Sequence, residues 1–287
     1  VLFAAATAEF LIRRRIYIRD PRTLKSQFRV LGLAFGPIVL SSIDSSMIEA
    51  WMARRLDQGT SRSTLNRNRA ALSVLFEWAI AEGLRPGPNP VRSIPPFREG
   101  PGRTRYLTPD EAQRLWLAAA AHLKPIIQIA LHTGGRLSEI LALRWGDLDL
   151  DGRLVTYRRE VTKGGKTRHV PINDSLAASL AALRRGRPDQ FLCHWGEEPI
   201  RSVKTAFSTA RRKAGLGPDV TFHTLRHTFA SWAIQNGLDL GRLQKYLGHS
   251  DVSLTQRYSH LSREFLADGA RFIGPPARAK APESEQT

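Results

Sequence analysis

Near its end the chain carries a tyrosine nine positions after a histidine, in Leu247-Gly248-His249 and then Tyr258-Ser259-His260. Upstream stand His223-Thr224-Leu225-Arg226-His227 and Thr133-Gly134-Gly135-Arg136-Leu137-Ser138-Glu139. A phosphodiester under attack gathers negative charge on its oxygens, and a planar guanidinium holds such oxygens through paired hydrogen bonds. Arg136 and Arg226 are of the right type for that work. His223 precedes Arg226 by three positions, so a helix would present both on one face. His249 follows Gly248 at an expected break between helices, from which its ring could reach the same phosphate. Tyr258 is then the candidate nucleophile. A phenol with a pKa near 10 is ~0.1% ionised at neutral pH, so ionising it costs roughly 4 kcal/mol. Neighbouring cations lower that cost and a base can take the proton. His223 is the expected proton handler.

The other tyrosines are Tyr17, Tyr106, Tyr157 and Tyr246. Only Tyr246 rivals Tyr258 by position, and its setting in Leu243-x-x-Tyr246-Leu247 reads as core. Two competing motifs fail on chemistry. His223-x-x-x-His227 has the spacing of a zinc-protease helix, but Thr224 stands where the general base should be. Gly134-Gly135-Arg136 is not followed by the Gly-Lys-Ser/Thr of a phosphate-binding loop. No cofactor and no metal are expected: a phosphotyrosine linkage conserves the energy of the broken phosphodiester.

The order Arg136, Lys163, His223-x-x-Arg226, His249, Tyr258 resembles the tyrosine recombinases, also called phage-type integrases. The surrounding residues agree: Thr-Gly-x-Arg-x-x-Glu at Arg136, Thr-Lys-Gly-x-Lys-x-Arg-x-Val-Pro at Lys163, His-x-Leu-Arg-His at Arg226, and Leu-Gly-His leading to Tyr-x-His. The match spans most of residues 104–262, with a looser likeness of the N-terminal part to the family's core-DNA-binding domain. The resemblance implies that Tyr258 forms a 3′-phosphotyrosyl link and that Lys163, on a hairpin turn, protonates the leaving 5′-oxygen. Lys166 on the same turn is the second candidate. Glu139 is read as a support for Arg136, and His227 as a supporting residue, like His260. The implied partners are double-stranded DNA at a specific site, further copies of the chain in a tetramer on that DNA, and accessory DNA-bending proteins. The segment after Tyr258 lacks the usual ending of chromosome-resolving recombinases, which points to integration or excision of a mobile element. A non-cleaving DNA-binding relative and a type IB topoisomerase-like nicking-closing enzyme are the alternatives. Binding without a trapped adduct would mark the first, supercoil relaxation without recombinants the second.

Composition fits a polyanionic partner. Over 287 residues Lys and Arg outnumber Asp and Glu by 17. Residues 1–100 hold 15 basic and 8 acidic side chains, and residues 101–287 hold 28 and 18. Both parts are basic, as the two lobes of a DNA clamp would be, although charge alone does not separate DNA from RNA. Cys193 is the single cysteine, which excludes an internal disulfide and a multi-cysteine zinc site. An inert, buried thiol is expected there. No apolar run approaches the ~20 residues of a membrane helix, so no membrane partner is expected. A cytoplasmic, nucleoid-associated protein follows. The chain opens on Val1, so an upstream segment is expected to be missing; the separate arm-binding domain that the resemblance implies is either absent or cut from this chain.

These side chains need elements to hold them, and the sequence reads as mainly α with a small antiparallel β-sheet. A helical core-binding domain is expected over residues 1–97. Ser46 opens a helix to about Leu56, and Ser63 or Thr64 caps a longer one ended by Gly83. Arg62, Arg67 and Arg69 at its start are either a solvated face or DNA-phosphate contacts. Pro86, Pro88, Pro90, Pro95, Pro96 and Pro101 make a linker from about residue 86. An α+β catalytic domain follows over 98–273. Thr108-Pro109-Asp110-Glu111 starts a helix, and two apolar helical stretches over 123–143 break at Thr133-Gly134-Gly135. Short strands are expected at 154–157, 160–162 and 168–172, with Lys163-Gly164-Gly165-Lys166 as the turn between the last two. Helices resume from Leu176, and residues 274–287 read as a disordered tail.

Overall fold

The computed structural model describes residues 1–17, 21–100, 105–162, 165–183, 185–196, 198–249, 253–256 and 258. Contacts divide the chain into two compact units, Val1–Gly102 and Arg103–Thr287.

The first unit is helical: α1 (Phe3–Arg13), α2 (Pro21–Phe35), α3 (Ser45–Asp57) and α4 (Arg62–Ala81). Apolar residues at helical spacing on α4, Leu65, Leu72, Leu75 and Phe76, are fully buried. Around them Phe10 meets Phe28 and Trp78 edge-on at centroid distances of 5.7 and 5.4 Å, the arrangement favoured by ring quadrupoles. The caps fall slightly upstream of the expected residues. Asp44, not Ser46, accepts the Met47 N–H at 2.8 Å, and the Ser46 hydroxyl donates to Asp44 instead. A carboxylate is the stronger acceptor for a helix N-terminus. Ser61, rather than Ser63 or Thr64, caps α4. Gly83, at φ +69°, follows its end as expected.

Among its described residues the proline-rich segment forms no helix or strand, yet its first part is no loose tether. Val91 and Ile94 are buried in the unit's core. Asn66 exchanges two hydrogen bonds with the Phe97 backbone, at 2.9 and 2.8 Å. Arg69 donates to the Ile94 carbonyl at 2.7 Å and the Val91 carbonyl at 3.4 Å. Carbonyls left unpaired by irregular backbone need such donors.

The second unit joins helices to a small sheet. The helices are α5 (Pro109–Ala118), α6 (Lys124–Thr133), α7 (Leu137–Leu141), α8 (Asp174–Ala181), α9 (Lys204–Lys213), α10 (Phe222–Gln235), α11 (Leu240–Leu247) and α12 (Ser253–Gln256). A capping box between Thr108 and Glu111 opens α5 as expected. Strands β1 (Leu148–Asp149), β2 (Leu154–Tyr157) and β3 (Arg168–Pro171) form an antiparallel sheet in that order, with Tyr157 opposite Arg168. A separate hairpin pairs β4 (His194–Trp195) with β5 (Glu198–Pro199). The expected strand at 160–162 is absent. The Val161 and Thr162 amides close turns onto the Arg158 carbonyl, so the chain leaves β2 in a turn rather than a ladder.

Helix α10 packs along α6 at the centre of this unit. A smaller cluster of Ala230, Ile234, Leu243, Leu247 and Tyr258 lies beside the main core. No described helix is long and apolar enough to cross a membrane.

Candidate active site

The site begins with two glycines. Gly134 ends α6 in the left-handed region, at φ +64°. A Cβ there would lie 2.4 Å from a Phe229 ring carbon, and one on Gly135 would lie 2.3 Å from the Tyr157 hydroxyl oxygen. Only glycine lets the chain turn this tightly against α10 and β2. Arg136 emerges from the turn as the residue preceding α7.

Glu139, in the first turn of α7, is fully buried and takes up the surrounding charge. It accepts the Arg136 backbone N–H at 2.8 Å and the Arg136 Nη1 at 2.9 Å. Arg168 grips both its oxygens, at 3.0 and 2.6 Å. Burial alone would push the Glu139 carboxyl up, but the bonds and charge of Arg168, then of Arg136, hold it below the ordinary value. Arg168 also donates to the Tyr246 carbonyl at 2.9 Å and lies 4.2 Å above the Tyr157 ring. The Tyr157 hydroxyl is 2.6 Å from Thr133 Oγ1, and burial drives its pKa well up. It is a structural phenol.

Arg226 lies on α10 and is 3% exposed. Its Nη1 donates to the Gly134 carbonyl at 2.7 Å and its Nη2 to the Leu247 carbonyl at 2.6 Å. Burial, then the charges of Arg136 and Arg168, pull its pKa down to about 9, against the opposing pull of Glu139 and Tyr258. It is therefore a cation at neutral pH. Three guanidiniums face one carboxylate here, an excess of positive charge in a place that a phosphate would neutralise.

Tyr258 is 1% exposed, and its hydroxyl lies 2.5 Å from His227 Nδ1. The His223 and His227 rings meet edge-on at 4.7 Å, with His223 on the exposed side. His227 Nδ1 and the Tyr258 hydroxyl thus share a hydrogen bond whose donor depends on the histidine tautomer, whereas the sequence pointed to His223 for the proton. His249 follows Gly248, which caps α11 at φ +62°, and its Nδ1 lies 3.0 Å from Thr255 Oγ1. Tyr246, the rival tyrosine, is half-buried against the main core.

Lys163 lies outside the described residues, as do His260 and the whole of 259–287, with the expected tail. On the same loop Thr162 Oγ1 donates to the Lys166 carbonyl at 2.9 Å and accepts its N–H at 3.1 Å, leaving the Lys166 side chain exposed. In the first unit Arg62 and Arg67 are exposed, but Arg69 is turned onto the carbonyls described above. That correction follows from its place on α4, over the proline-rich segment. Sequence reasoning missed Arg168 as a site residue. Its signal was an arginine at an inward position of a strand that alternates buried and exposed, which requires a buried partner.

Residues 105–264 match the phage integrase family, and residues 22–83 match the phage integrase N-terminal SAM-like domain. The chain belongs to the phage integrase family of tyrosine recombinases. It is 31% identical to the tyrosine recombinase XerC of Xanthomonas campestris pv. campestris (strain B100), over 84% of this chain and 77% of that protein. A XerC of Xanthomonas axonopodis pv. citri is likewise 31% identical, over 85% and 82%. Among solved structures, the Tn1549 transposon integrase in complex with transposon right end DNA superposes with a TM-score of 0.75 at 20% identity, covering 96% of this chain and all of that one. A lambda integrase dimer bound to a COC′ core site gives 0.75 at 22%, covering 88% and 97%. This phage integrase family member is a tyrosine-type site-specific DNA recombinase, with a mainly helical fold and small antiparallel sheets.

Proposed function

We propose that the chain exchanges DNA strands at a specific site through a 3′-phosphotyrosyl intermediate on Tyr258. The observation that carries this reading is the gathering of Arg136 and Arg226 about one buried carboxylate within a single unit, with Tyr258 among the groups whose charge Arg226 feels. In this reading Arg136, held by Glu139, and Arg226, held by the Gly134 and Leu247 carbonyls, bind the scissile phosphate, and His249 completes the cradle. Oriented donors in a water-poor site favour the pentacoordinate state because they need no reorganisation as charge develops. Lys163 protonates the leaving 5′-oxygen, with Lys166 as its alternate. Rejoining reverses the steps, as a 5′-hydroxyl displaces the tyrosine.

In this reading the first unit, Val1–Gly102, serves as the core-binding domain expected over residues 1–97, and the second, from Arg103, as the catalytic domain expected over 98–273. In the first, a cavity of about 430 Å³ is lined by Arg22, Arg55, Arg67, Thr64 and Asn68 among others. Asn68 is 3% exposed. With exposed Arg62 nearby, these side chains suit contact with DNA phosphates. Paired exchange needs two duplexes, so the acting assembly is a tetramer on DNA in the cytosol, aided where required by DNA-bending proteins. A solved relative of this fold is a lambda integrase tetramer bound to a Holliday junction.

The element served is a mobile one, by integration or excision. The XerC relatives favour a second reading, recombination of the host's own replicons; recombination on supercoiled plasmids carrying element ends or chromosomal sites separates the two. The covalent step is tested with a labelled, nicked site. The parent forms a protein–DNA adduct and Tyr258→Phe forms none while still binding. An adduct that persists in that variant overturns the assignment.

A further inference from the structure

We propose that Arg168 is the positioning residue that sets the loop carrying Lys163 against the phosphate cradle, so that the leaving 5′-oxygen meets its proton donor. This rests on the recombinase reading and on its placing of the general acid in that loop. The ladder of β2 and β3 ends on the pair Tyr157 and Arg168, and residues 158–167 run between them. Arg168 is thus the root of the loop on the β3 side. It occupies an inward position of the strand and is 8% exposed.

All three nitrogens of its guanidinium are engaged. Nη1 and Nη2 donate to the two Glu139 oxygens at 3.0 and 2.6 Å, and Nε donates to the Tyr246 carbonyl at 2.9 Å. Glu139 in turn accepts from Arg136 Nη1 at 2.9 Å. Tyr246 stands two residues before Gly248, where a Cβ would lie 3.1 Å from Arg168 Cδ, and His249 comes next. One planar group therefore ties together the loop's root, the start of α7 with Arg136, and the end of α11 ahead of His249. The root on the β2 side has anchors of its own: the Tyr157 hydroxyl on Thr133 Oγ1, and Arg158 Nη2 on the Ala142 carbonyl at 3.0 Å. With its nitrogens committed to a carboxylate and a carbonyl, Arg168 is a frame and not a phosphate ligand. What it supplies is distance and angle, on which proton transfer depends steeply.

The step it serves is proton delivery to the leaving group. As the Tyr258 oxygen, its proton given up to the site's base, bonds to phosphorus, the P–O5′ bond breaks and its electron pair goes to the 5′-oxygen. That oxygen takes a proton from the Lys163 ammonium, leaving a 5′-hydroxyl and a neutral amine. In rejoining, the amine takes the proton back as the 5′-hydroxyl attacks. A donor displaced by about 1 Å costs on the order of 100-fold in rate, so the root of its loop has to be fixed to the same elements that fix the phosphate.

The test follows adduct formation by the full chain, at saturating protein, on nicked sites with either the natural 5′-oxygen or a bridging 5′-sulfur at the scissile position. A thiolate leaves without protonation, so the ratio of the sulfur rate to the oxygen rate reports on the general acid. Arg168→Lys keeps a charge beside Glu139, but donors that radiate from one nitrogen cannot reach both carboxylate oxygens and the Tyr246 carbonyl. It should slow cleavage roughly 10- to 100-fold on oxygen and less than about 3-fold on sulfur. Added to Lys163→Ala with Lys166→Ala, it should slow the oxygen reaction less than about 3-fold further, because a misplaced acid and a missing one impair the same step. Equal slowing on the two substrates marks a general scaffold role, and multiplied losses in the combined variant mark independent action; either result overturns the proposal. Where Arg168→Lys melts below the assay temperature, Arg168→Met with Glu139→Gln, which removes both charges of the pair, takes its place, and the ratio alone decides. If the two lysine changes leave the ratio at the parent's value, the loop does not supply the acid; that part of the recombinase reading fails and the proposal falls with it. If the parent forms no adduct on either substrate, the recombinase reading itself fails.

Discussion

Replacing Glu139 with Gln removes one charge and almost no volume, which makes it the sharpest probe of the buried network. Glu139 is fully buried and receives three bonds from two guanidiniums, besides the Arg136 backbone N–H. Once the negative charge is gone, Arg136, Arg168 and Arg226 repel one another without compensation, and the new amide NH₂ faces guanidinium donors. Breaking a buried ion pair from one side costs about 3–5 kcal/mol, because the remaining charges stay buried and uncompensated. For a unit of this size that lowers the melting temperature by about 6–20 °C. The assay is calorimetry of the parent, Glu139→Gln, Arg168→Met and the double variant. The double variant should recover at least about 1 kcal/mol relative to the sum of the single changes, since it leaves fewer unpaired charges. The acid response follows from the direction of the shift. A carboxyl with a lowered folded pKa contributes its full stability above its ordinary titration near pH 4.5 and loses it as pH falls through the lower folded value. The parent should therefore lose stability below about pH 4.5, and Glu139→Gln should lack that part of the acid limb. A melting point within about 2 °C of the parent, or strict additivity in the cycle, would refute the view that one carboxylate holds this cluster together.

Gly134→Ala should destabilise the second unit and slow adduct formation together, because its Cβ would collide with Phe229 and strain a left-handed turn whose carbonyl binds Arg226; urea unfolding and adduct assays check both. Arg69→Gln should cost about 1–3 kcal/mol of unfolding free energy by releasing the Ile94 and Val91 carbonyls. Arg67→Gln should leave stability within about 0.5 kcal/mol yet weaken DNA binding evenly across sequences, lowering the salt slope by about 1. Cys193 is buried, and burial pushes its thiol up to about 12; alkylation of the native protein should be negligible at neutral pH and become rapid on unfolding, as followed by mass.

How legible this was depends on the range of the interactions. Arg136, Arg226 and His249 could be placed from the sequence because each is oriented by a local element: a turn before α7, a helix face, a glycine cap. Capping residues were displaced by two or three positions because several adjacent Ser, Thr and Asp side chains compete and backbone dihedrals decide among them. The strand at 160–162 was misread because its β-branched residues fit a turn closed by the Arg158 carbonyl equally well. Arg69 and Arg168 were misjudged or overlooked for a different reason. Their partners lie 25 and 29 residues away, and no periodicity announces a contact of that span. The contact between His227, given only a supporting part, and the Tyr258 hydroxyl spans 31 positions and is equally silent in the sequence.

The fork of Arg226 has one more implication. Its two terminal nitrogens each fasten the end of a different helix, and a guanidinium still has N–H directions left over. One side chain can thus rivet the scaffold and keep hands open for an anion. A lysine, with a single ammonium at the tip, could not span both carbonyls and serve a phosphate as well. Architecture and catalysis share a component at this spot, so no substitution there can be expected to harm one and spare the other.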